Sequence, residues 1–148
     1  MAHTYVVMTP MMLDEEHHLF FERVNEVIGF LLKNKITTVD ILFACMWDDG
    51  WEPFTANVPD IMDHIRRHEQ KTGSRFGEND VYINLPRLET QIVFCHEADL
   101  HIEFNNSNPL VRDILAGWEI GGLLHCTQIN GKNVEWNEMR NIVFGVGD

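Results

Sequence analysis

Residues 90–104 have the sequence TQIVFCHEADLHIEF, in which two apolar segments flank a short polar turn. The first segment, residues 90–95, is rich in the β-branched and aromatic residues that favour strands. In the second, residues 100–104, apolar and polar residues alternate, which is typical of a strand with one face in water. The residues between the segments, 96–99, suit a hairpin connection. This stretch therefore predicts two antiparallel strands.

Three segments on either side of this hairpin have apolar residues at helical spacing. They begin near Asp14, Pro59 and Asn108, and each therefore predicts a helix with one buried face. The third has the clearest start, because an Asn followed by Pro combines a capping side chain with a residue that suits the first helical turn.

Further strands are predicted at residues 5–8, 38–46 and 81–85, and Asn130-Gly131 predicts a second hairpin, whose turn needs positive φ at both positions. Residues 38–46 are almost entirely apolar, so we expect that strand to be covered on both faces. We expect residues 142–144 to form a short last strand or a docked tail.

The order of these elements sets the fold class. Hairpins impose antiparallel pairing, so we predict an α+β fold with a mixed, largely antiparallel sheet and about three packed helices. The length of 148 residues suits one domain, and we assign residues 1–148 to it.

The charge of the chain limits its partners. The sequence contains 23 acidic residues and 11 basic residues, which gives a formal net charge of -12. Such a protein is repelled by nucleic acid and by anionic membranes and is attracted to basic surfaces, so we expect no direct nucleic-acid binding and no membrane binding. The chain has no apolar run of the ~20 residues that a membrane span needs and no signal-peptide pattern, so we predict a cytoplasmic location.

The three cysteines, Cys45, Cys95 and Cys126, are odd in number and widely spaced. An odd number of widely spaced cysteines predicts reduced, mostly buried thiols. His96 follows Cys95 directly, but neighbours on a strand point to opposite faces. We therefore expect no direct contact between the two side chains.

The turn of the first hairpin carries a cluster of imidazoles and carboxylates, namely His96, Glu97, Asp99 and His101. These side chains suit zinc or another divalent metal, and they also suit acid–base catalysis. Asp99 and His101 share a strand face, but a zinc site needs at least three ligands. A hydrogen-bonded hairpin, a binding surface and a metal or catalytic site all remain open.

A second histidine pair, His64 and His68, has the spacing of four that places both side chains on one helical face. Arg66, Arg67 and Lys71 lie close by in sequence, and their positive charge opposes a bound cation. We therefore expect a solvated helix face here rather than a metal site.

The segment from Trp47 to Glu52 is an acidic turn between two tryptophans. Tryptophan offers apolar contact area and carboxylates pair with Arg or Lys, so the turn is a candidate protein-binding patch. The alternative is that the tryptophans anchor the core while the carboxylates keep the turn in water. The segment lacks the alternating oxygen ligands of a calcium-binding loop.

Two short strings resemble a known group of proteins. FCHEADLHIEF (residues 94–104), between a strand and an Asn-Pro helix, and DDGWEPF (residues 48–54), after an apolar strand, are similar to segments of small immunity proteins from bacterial polymorphic-toxin and contact-dependent-inhibition systems. The resemblance covers residues 38–120 in pattern. It implies binding to a toxin and carries over no catalytic residues, because these proteins act by binding.

Three classes of function follow. We predict an acidic binding protein that neutralises a basic partner, most simply an immunity protein covering the active surface of a toxin such as a nuclease, with no enzymatic activity and no cofactor. The alternatives are a small metal-dependent enzyme that uses His96, Glu97, Asp99 and His101, or an adaptor subunit of a larger assembly. The predicted partner-binding residues are Asp48, Asp49, Trp51, Glu52, Glu97 and Asp99.

Overall fold

The computed structural model describes residues 3–44, 52–73 and 80–145. The strands are β1 (Tyr5–Met8), β2 (Thr38–Ala44), β3 (Phe54–Asn57), β4 (Asp80–Leu85), β5 (Thr90–Phe94), β6 (Leu100–Phe104), β7 (Cys126–Ile129) and β8 (Lys132–Asn133). The helices are α1 (His17–Lys33), α2 (Ile61–Thr72), α3 (Pro109–Ile120) and α4 (Trp136–Phe144). Within these ranges, none of the helices has both the length and the apolar character needed to cross a membrane.

The described strands form one sheet in the order β3-β2-β4-β5-β6-β1-β7-β8, and every pairing among them is antiparallel. The predicted α+β class is confirmed. The strands β4, β5 and β6 are neighbours in both chain and space, as hairpins require, whereas β1 comes from the start of the chain and lies between β6 and β7. The described residues contain four helices, where about three were predicted.

The core lies between the sheet and the helices. Isoleucines at one register position of four adjacent strands are fully buried and face the same side, namely Ile41, Ile83, Ile92 and Ile102. All four helices contribute buried side chains to the same apolar cluster, among them Phe20, Ile65, Ile114 and Met139. Burial of this apolar surface is the main force that holds the helices on the sheet.

The opposite face of the sheet, which we call the open face, has no described helix packed on it. Its strand residues alternate with the core residues, and its buried members Val6 and Val93 lie outside the apolar cluster. Two rows cross it in register. One row contains Leu42, Tyr82, Val93, His101, Met8 and Cys126, and the other contains Asp40, Asn84, Gln91, Glu103, Val6 and Gln128.

The prediction for residues 38–46 was therefore wrong in one respect. We expected this strand to be covered on both faces, but in β2 only alternate residues are buried, and Asp40, Leu42 and Ala44 are half-buried on the open face. The reason is that the described helices all pack on one side. An apolar run is consistent with two covered faces but does not require them.

Several local predictions are confirmed. The Asn108 side chain accepts a hydrogen bond from the Val111 backbone N–H at the start of α3, at 3.0 Å. Asn130 and Gly131 both have positive φ, 51° and 82°, in the turn between β7 and β8. Of the two alternatives for the C-terminal segment, the short last strand was wrong: residues 142–144 belong to α4, which packs on the core through Met139 and Val143, one helical turn apart.

Candidate functional site on the open face

Five side chains capable of metal or acid–base chemistry meet where the central strands of the sheet end. Asp80 begins β4, Cys95 and His96 follow β5, and Asp99 and His101 belong to the entry and body of β6. The Cys95 backbone N–H donates to the Asp99 carbonyl at 2.8 Å, which closes the hairpin between β5 and β6. The antiparallel order β4-β5-β6 brings the start of β4 beside this turn.

These side chains form two overlapping groups of three. The first, which we call the Asp80 trio, consists of Asp80, Cys95 and His96, and the second, the Asp99 trio, consists of Cys95, Asp99 and His101. Within each trio the potential ligand atoms lie within 4.8 Å of one another. Cys95 is common to both, so its sulfur links the two carboxylate–histidine pairs.

In the Asp80 trio, one carboxylate oxygen contacts both the backbone and the side chain of His96 in the turn. Asp80 Oδ1 accepts a hydrogen bond from the His96 backbone N–H at 2.7 Å and lies 2.8 Å from His96 Nδ1. Burial acts to raise the pKa of Asp80, but the hydrogen bonds from His96 outweigh it, so the pKa lies below its ordinary value. The same hydrogen bond raises the pKa of His96.

The Asp99 trio is deeper. Asp99 is 6% exposed. Its Oδ2 lies 2.8 Å from His101 Nε2. Burial acts to raise the pKa of Asp99, but the hydrogen bond from His101 and the imidazole charge lower it more. The partnership raises the pKa of His101. The other oxygen, Asp99 Oδ1, is fully buried, and no described residue donates to it within ordinary hydrogen-bond geometry. The Cys95 side chain and the Asp99 backbone are close enough to the carboxylate to help lower its pKa.

Cys95 and His96 do contact each other, contrary to our expectation. The Cys95 sulfur lies 3.6 Å from His96 Nδ1. The rule that neighbours face opposite sides applies within a strand, but β5 ends at Phe94 and His96 lies in the turn. Burial, followed by the negative charges of Asp99 and Asp80, raises the pKa of the Cys95 thiol to about 12. A thiol in this environment stays protonated, which is the opposite of an activated nucleophile.

The predicted metal set is only partly assembled. Asp99 and His101 meet as their shared strand face indicated, but His96 belongs to the other trio and Glu97 to neither. The Glu97 side chain is 59% exposed, with a carboxylate oxygen 4.0 Å from His96 Nε2. Sequence reasoning missed Asp80, which reaches the site only through the pairing of β4 with β5, and it treated Cys95 as a plain buried thiol.

The predicted partner-binding residues have different locations. Asp48, Asp49 and Trp51 lie outside the described residues. Glu52 is exposed just before β3, and Glu97 is exposed in the turn between β5 and β6. Asp99 is buried against His101, so it does not present a free carboxylate to a partner.

The open face is acidic. Asp40, Asp80 and Glu103 project from it, and its described strand residues include no lysine and no arginine. The negative charge of these carboxylates also acts on Tyr82. The pKa of Tyr82 is raised by burial and then by the negative charges of Asp80 and Glu103 among its neighbours. A basic group placed on this face would therefore be attracted by several carboxylates together.

The described cations lie elsewhere, on the helices, in loops and at the edge strand β8, and several pair with helical carboxylates. These pairs are Arg23–Glu26 at 2.6 Å, Lys33–Asp113 at 3.5 Å and Arg140–Glu119 at 3.1 Å. Carboxylates occur on both sides of the molecule. What distinguishes the open face is that its described strand residues include no Lys and no Arg, although Lys35 and Arg87, from segments outside the strands, share a cleft with Asp40.

The second histidine pair packs on aromatic rings, which corrects the expectation of a solvated face. His68 stacks on Phe43 with ring centroids 4.0 Å apart, and His64 lies against Phe54 at 5.0 Å. Burial and the nearby Lys71 lower the pKa of His68. Helix α2 thus uses both imidazoles as flat side chains to pack against β2 and β3.

A cleft of about 700 Å³ lies at the other end of β4, where Leu85 is followed by Pro86. Its charged lining residues are Lys35, Asp40 and Arg87, and neither histidine nor cysteine lines it. The cleft is therefore separate from the two trios and adds no acid–base residue to them.

Comparison of the chain with known protein families, with curated proteins and with solved structures finds no match.

Proposed function

We propose that this protein is a binding protein that docks a basic protein on its open face and neutralises it, as an immunity protein neutralises a toxin. The observation that carries the proposal is the charge of that face. Asp40 and Glu103 lie on it with no lysine or arginine among its described strand residues, whereas carboxylates on the helices form ion pairs with Arg or Lys.

The open face also offers apolar contact area between its carboxylates. Leu42, Tyr82 and Met8 are half-buried in one register row, so a partner would complete their burial. Interfaces commonly combine a central apolar or aromatic patch with a polar rim, and tyrosine is enriched at the residues that dominate binding energy.

A basic partner fits this face better than a second copy of the chain. Two copies docked through it would bring Asp40, Glu103 and their equivalents together with no Lys or Arg among the described strand residues of the face. Like charges that face each other across an interface cost free energy. The formal net charge of -12 adds long-range repulsion between copies and long-range attraction to a basic protein.

A nuclease toxin is the basic partner that agrees best with this chemistry. A protein that cleaves nucleic acid needs a positive surface for phosphate, and an acidic sheet face can cover such a surface. The resemblance of residues 94–104 to immunity proteins supports the same class of partner. We include a cytoplasmic location in the proposal, because Cys95 and Cys126 are free thiols.

The proposed interface differs from the residue set expected from the sequence. It contains Asp40 and Glu103, which the sequence did not single out, together with the exposed Glu97 and Glu52. Asp48, Asp49 and Trp51 stay in the proposal on sequence grounds alone. Asp99 is left out because its carboxylate is buried.

A panel of purified nuclease toxin domains with basic surfaces tests the proposal by calorimetric titration and inhibition of nucleic-acid cleavage. The face variant carries Asp40→Asn, Glu97→Gln and Glu103→Gln. The matched control carries Glu22→Gln, Asp63→Asn and Glu138→Gln, which removes the same charge from exposed helical positions.

We expect a toxin domain to be bound one to one and inhibited, with an association rate that falls as salt rises. The face variant should bind about tenfold or more weakly, since close charge pairs contribute more than 1.4 kcal/mol, and the helical control should lose much less. Equal binding by the wild type and the face variant, or an equal loss in both variants, would show that the open face is not the interface.

A further inference from the structure

We propose that Cys95, Asp99 and His101 form a binding site for a zinc-like divalent cation. The site lies on the open face, at the entry to β6, and the cation would be held by the Cys95 sulfur, an Asp99 carboxylate oxygen and a His101 imidazole nitrogen. The proposal concerns the chain alone and does not depend on the proposed basic partner.

The distances suit a small ion after a modest contraction. The three potential ligand atoms lie within 4.8 Å of one another. Zinc–ligand bonds of roughly 2.0–2.3 Å place neighbouring ligand atoms of a tetrahedron ~3.3–3.8 Å apart. Side-chain adjustments of about an ångström therefore close the site. In the structure, Asp99 Oδ2 and His101 Nε2 lie 2.8 Å apart at hydrogen-bond distance, and a bound cation would replace this contact.

A second observation comes from the orphaned oxygen of Asp99. Its Oδ1 is buried and has no partner within ordinary hydrogen-bond geometry among the described residues, and the whole residue is only 6% exposed. A buried carboxylate oxygen without a partner costs free energy. A cation that contacts both carboxylate oxygens of Asp99 would also supply Oδ1 with the partner that the described residues do not provide.

The donor set selects the class of metal. Calcium and magnesium prefer sites made of oxygen atoms. A sulfur and an imidazole nitrogen with one carboxylate favour zinc and similar transition-metal ions. The neighbouring Asp80 trio offers a further donor, because the Asp80 carboxylate lies within the same 4.8 Å limit of the Cys95 sulfur.

The surroundings favour a positive ion. Asp80 and Glu103 add negative charge on the same face, and both are close enough to act on the pKa of His101. Binding would release the Cys95 thiol proton to solvent, along with the His101 proton where the imidazole is charged. Zinc affinity should therefore increase with pH.

Zinc and cobalt(II) chlorides are the probes, added to the full chain freed of metal by dialysis. All proteins carry Cys45→Ala and Cys126→Ala, so that Cys95 is the only sulfur that could serve as a thiolate. Zinc affinity is measured by competition with a chromogenic chelator, and cobalt binding by the thiolate-to-metal charge-transfer absorption in the near ultraviolet. The test variants add Cys95→Ala or His101→Gln, and the matched control adds His125→Gln at an exposed position.

We expect one zinc ion per chain, a cobalt charge-transfer band, and zinc affinity reduced at least tenfold by Cys95→Ala and by His101→Gln but not by His125→Gln. Zinc should also raise the melting temperature of the parent protein, and that shift should disappear in Cys95→Ala. Lack of zinc binding by the parent, a band that persists in Cys95→Ala, or equal affinity in parent and Cys95→Ala would overturn the proposal. Circular dichroism shows whether each variant is folded. If Cys95→Ala does not fold, His101→Gln still tests the proposal.

Discussion

Asp99 directly precedes β6, His101 is the second residue of β6, and their side chains meet at 2.8 Å between Oδ2 and Nε2. Alternate residues of a strand point to the same face, so the pairing follows from the sequence spacing once the strand has formed. Because Asp99 is buried and His101 is half-buried, the pair interacts with little screening by water. Each side chain therefore stabilises the charged form of the other.

The first prediction concerns the pH dependence of this pair. The pKa of His101 is raised above 6.5 in the folded protein, so its contribution to stability is full below 6.5 and is lost as the pH rises through the raised value. The pKa of Asp99 is lowered below 3.8, so its contribution is present above 3.8 and is lost as the pH falls through the lowered value.

The free-energy difference between the wild type and His101→Gln should therefore be largest between these two limits and smaller at alkaline pH. Urea unfolding across the pH range, with a chelator present to remove metal, measures it. We expect a maximum of about 1.5–3 kcal/mol, the usual range for a hydrogen bond to a charged group. The control His125→Gln should change stability by about 0.5 kcal/mol or less. A difference that grows steadily above pH 7 would contradict the assignment.

The sequence could predict this pair but not the rest of the site. Asp99 directly precedes β6 and His101 is its second residue, so the period of two of an extended chain decides that their side chains meet. Asp80 joins them through the register of β4 on β5, and that register depends on which faces the whole sheet buries. Glu97 was expected beside them, but it lies in the turn, where the alternation of the strand no longer applies.

A similar limit applies to the fold. The Asn108 cap and the Asn130-Gly131 turn are local, and the sequence predicted both. The position of β1 between β6 and β7 is set by contacts between distant parts of the chain, and no local pattern encodes it. The four-residue edge strand β3 was missed because its sequence, FTAN, offers only a weak strand signal.

The second prediction tests whether α3 packs on the core through one face only, by comparing two isoleucines of this helix. Ile114 is fully buried and Ile120, at the end of the same helix, is 89% exposed. Ile114→Ala should cost about 2–5 kcal/mol of the free energy of unfolding, because it removes buried methyl groups and leaves a cavity. Ile120→Ala should stay within about 0.5 kcal/mol of the wild type. Chemical denaturation measures both, and equal losses would mean that α3 is not packed by this face.

The third prediction concerns the start of α3. Asn108 accepts a hydrogen bond from the Val111 backbone N–H, and its Nδ2 donates to Thr90 Oγ1 of β5 at 3.1 Å. Asn108→Ala loses both and should destabilise the protein by about 1 kcal/mol, within the usual range of 0.5–2. Asn108→Asp keeps the capping acceptor but loses the donor, so its loss should be smaller. If both variants lost the same amount, the bond to Thr90 would outweigh the cap.

The last prediction uses the chemistry of Cys95. Its pKa is raised to about 12, first by burial and then by the charges of Asp99 and Asp80, and it is 8% exposed. The thiolate is the reactive form, so at pH 8 Cys95 should alkylate on the order of a thousandfold more slowly than an ordinary thiol. Iodoacetamide labelling of metal-free folded protein, read out by peptide mass spectrometry, measures this rate.

Cys126, which is half-buried, is the internal reference and should be labelled earlier. The difference should vanish in urea, because unfolding exposes both thiols equally and separates Cys95 from the carboxylates. Rapid, selective labelling of Cys95 in the folded protein would contradict its protonated state. Slow labelling would agree with a Cys95 thiol that stays protonated in the metal-free protein. Such a thiol would lose its proton to solvent only when a divalent cation binds to the Asp99 trio.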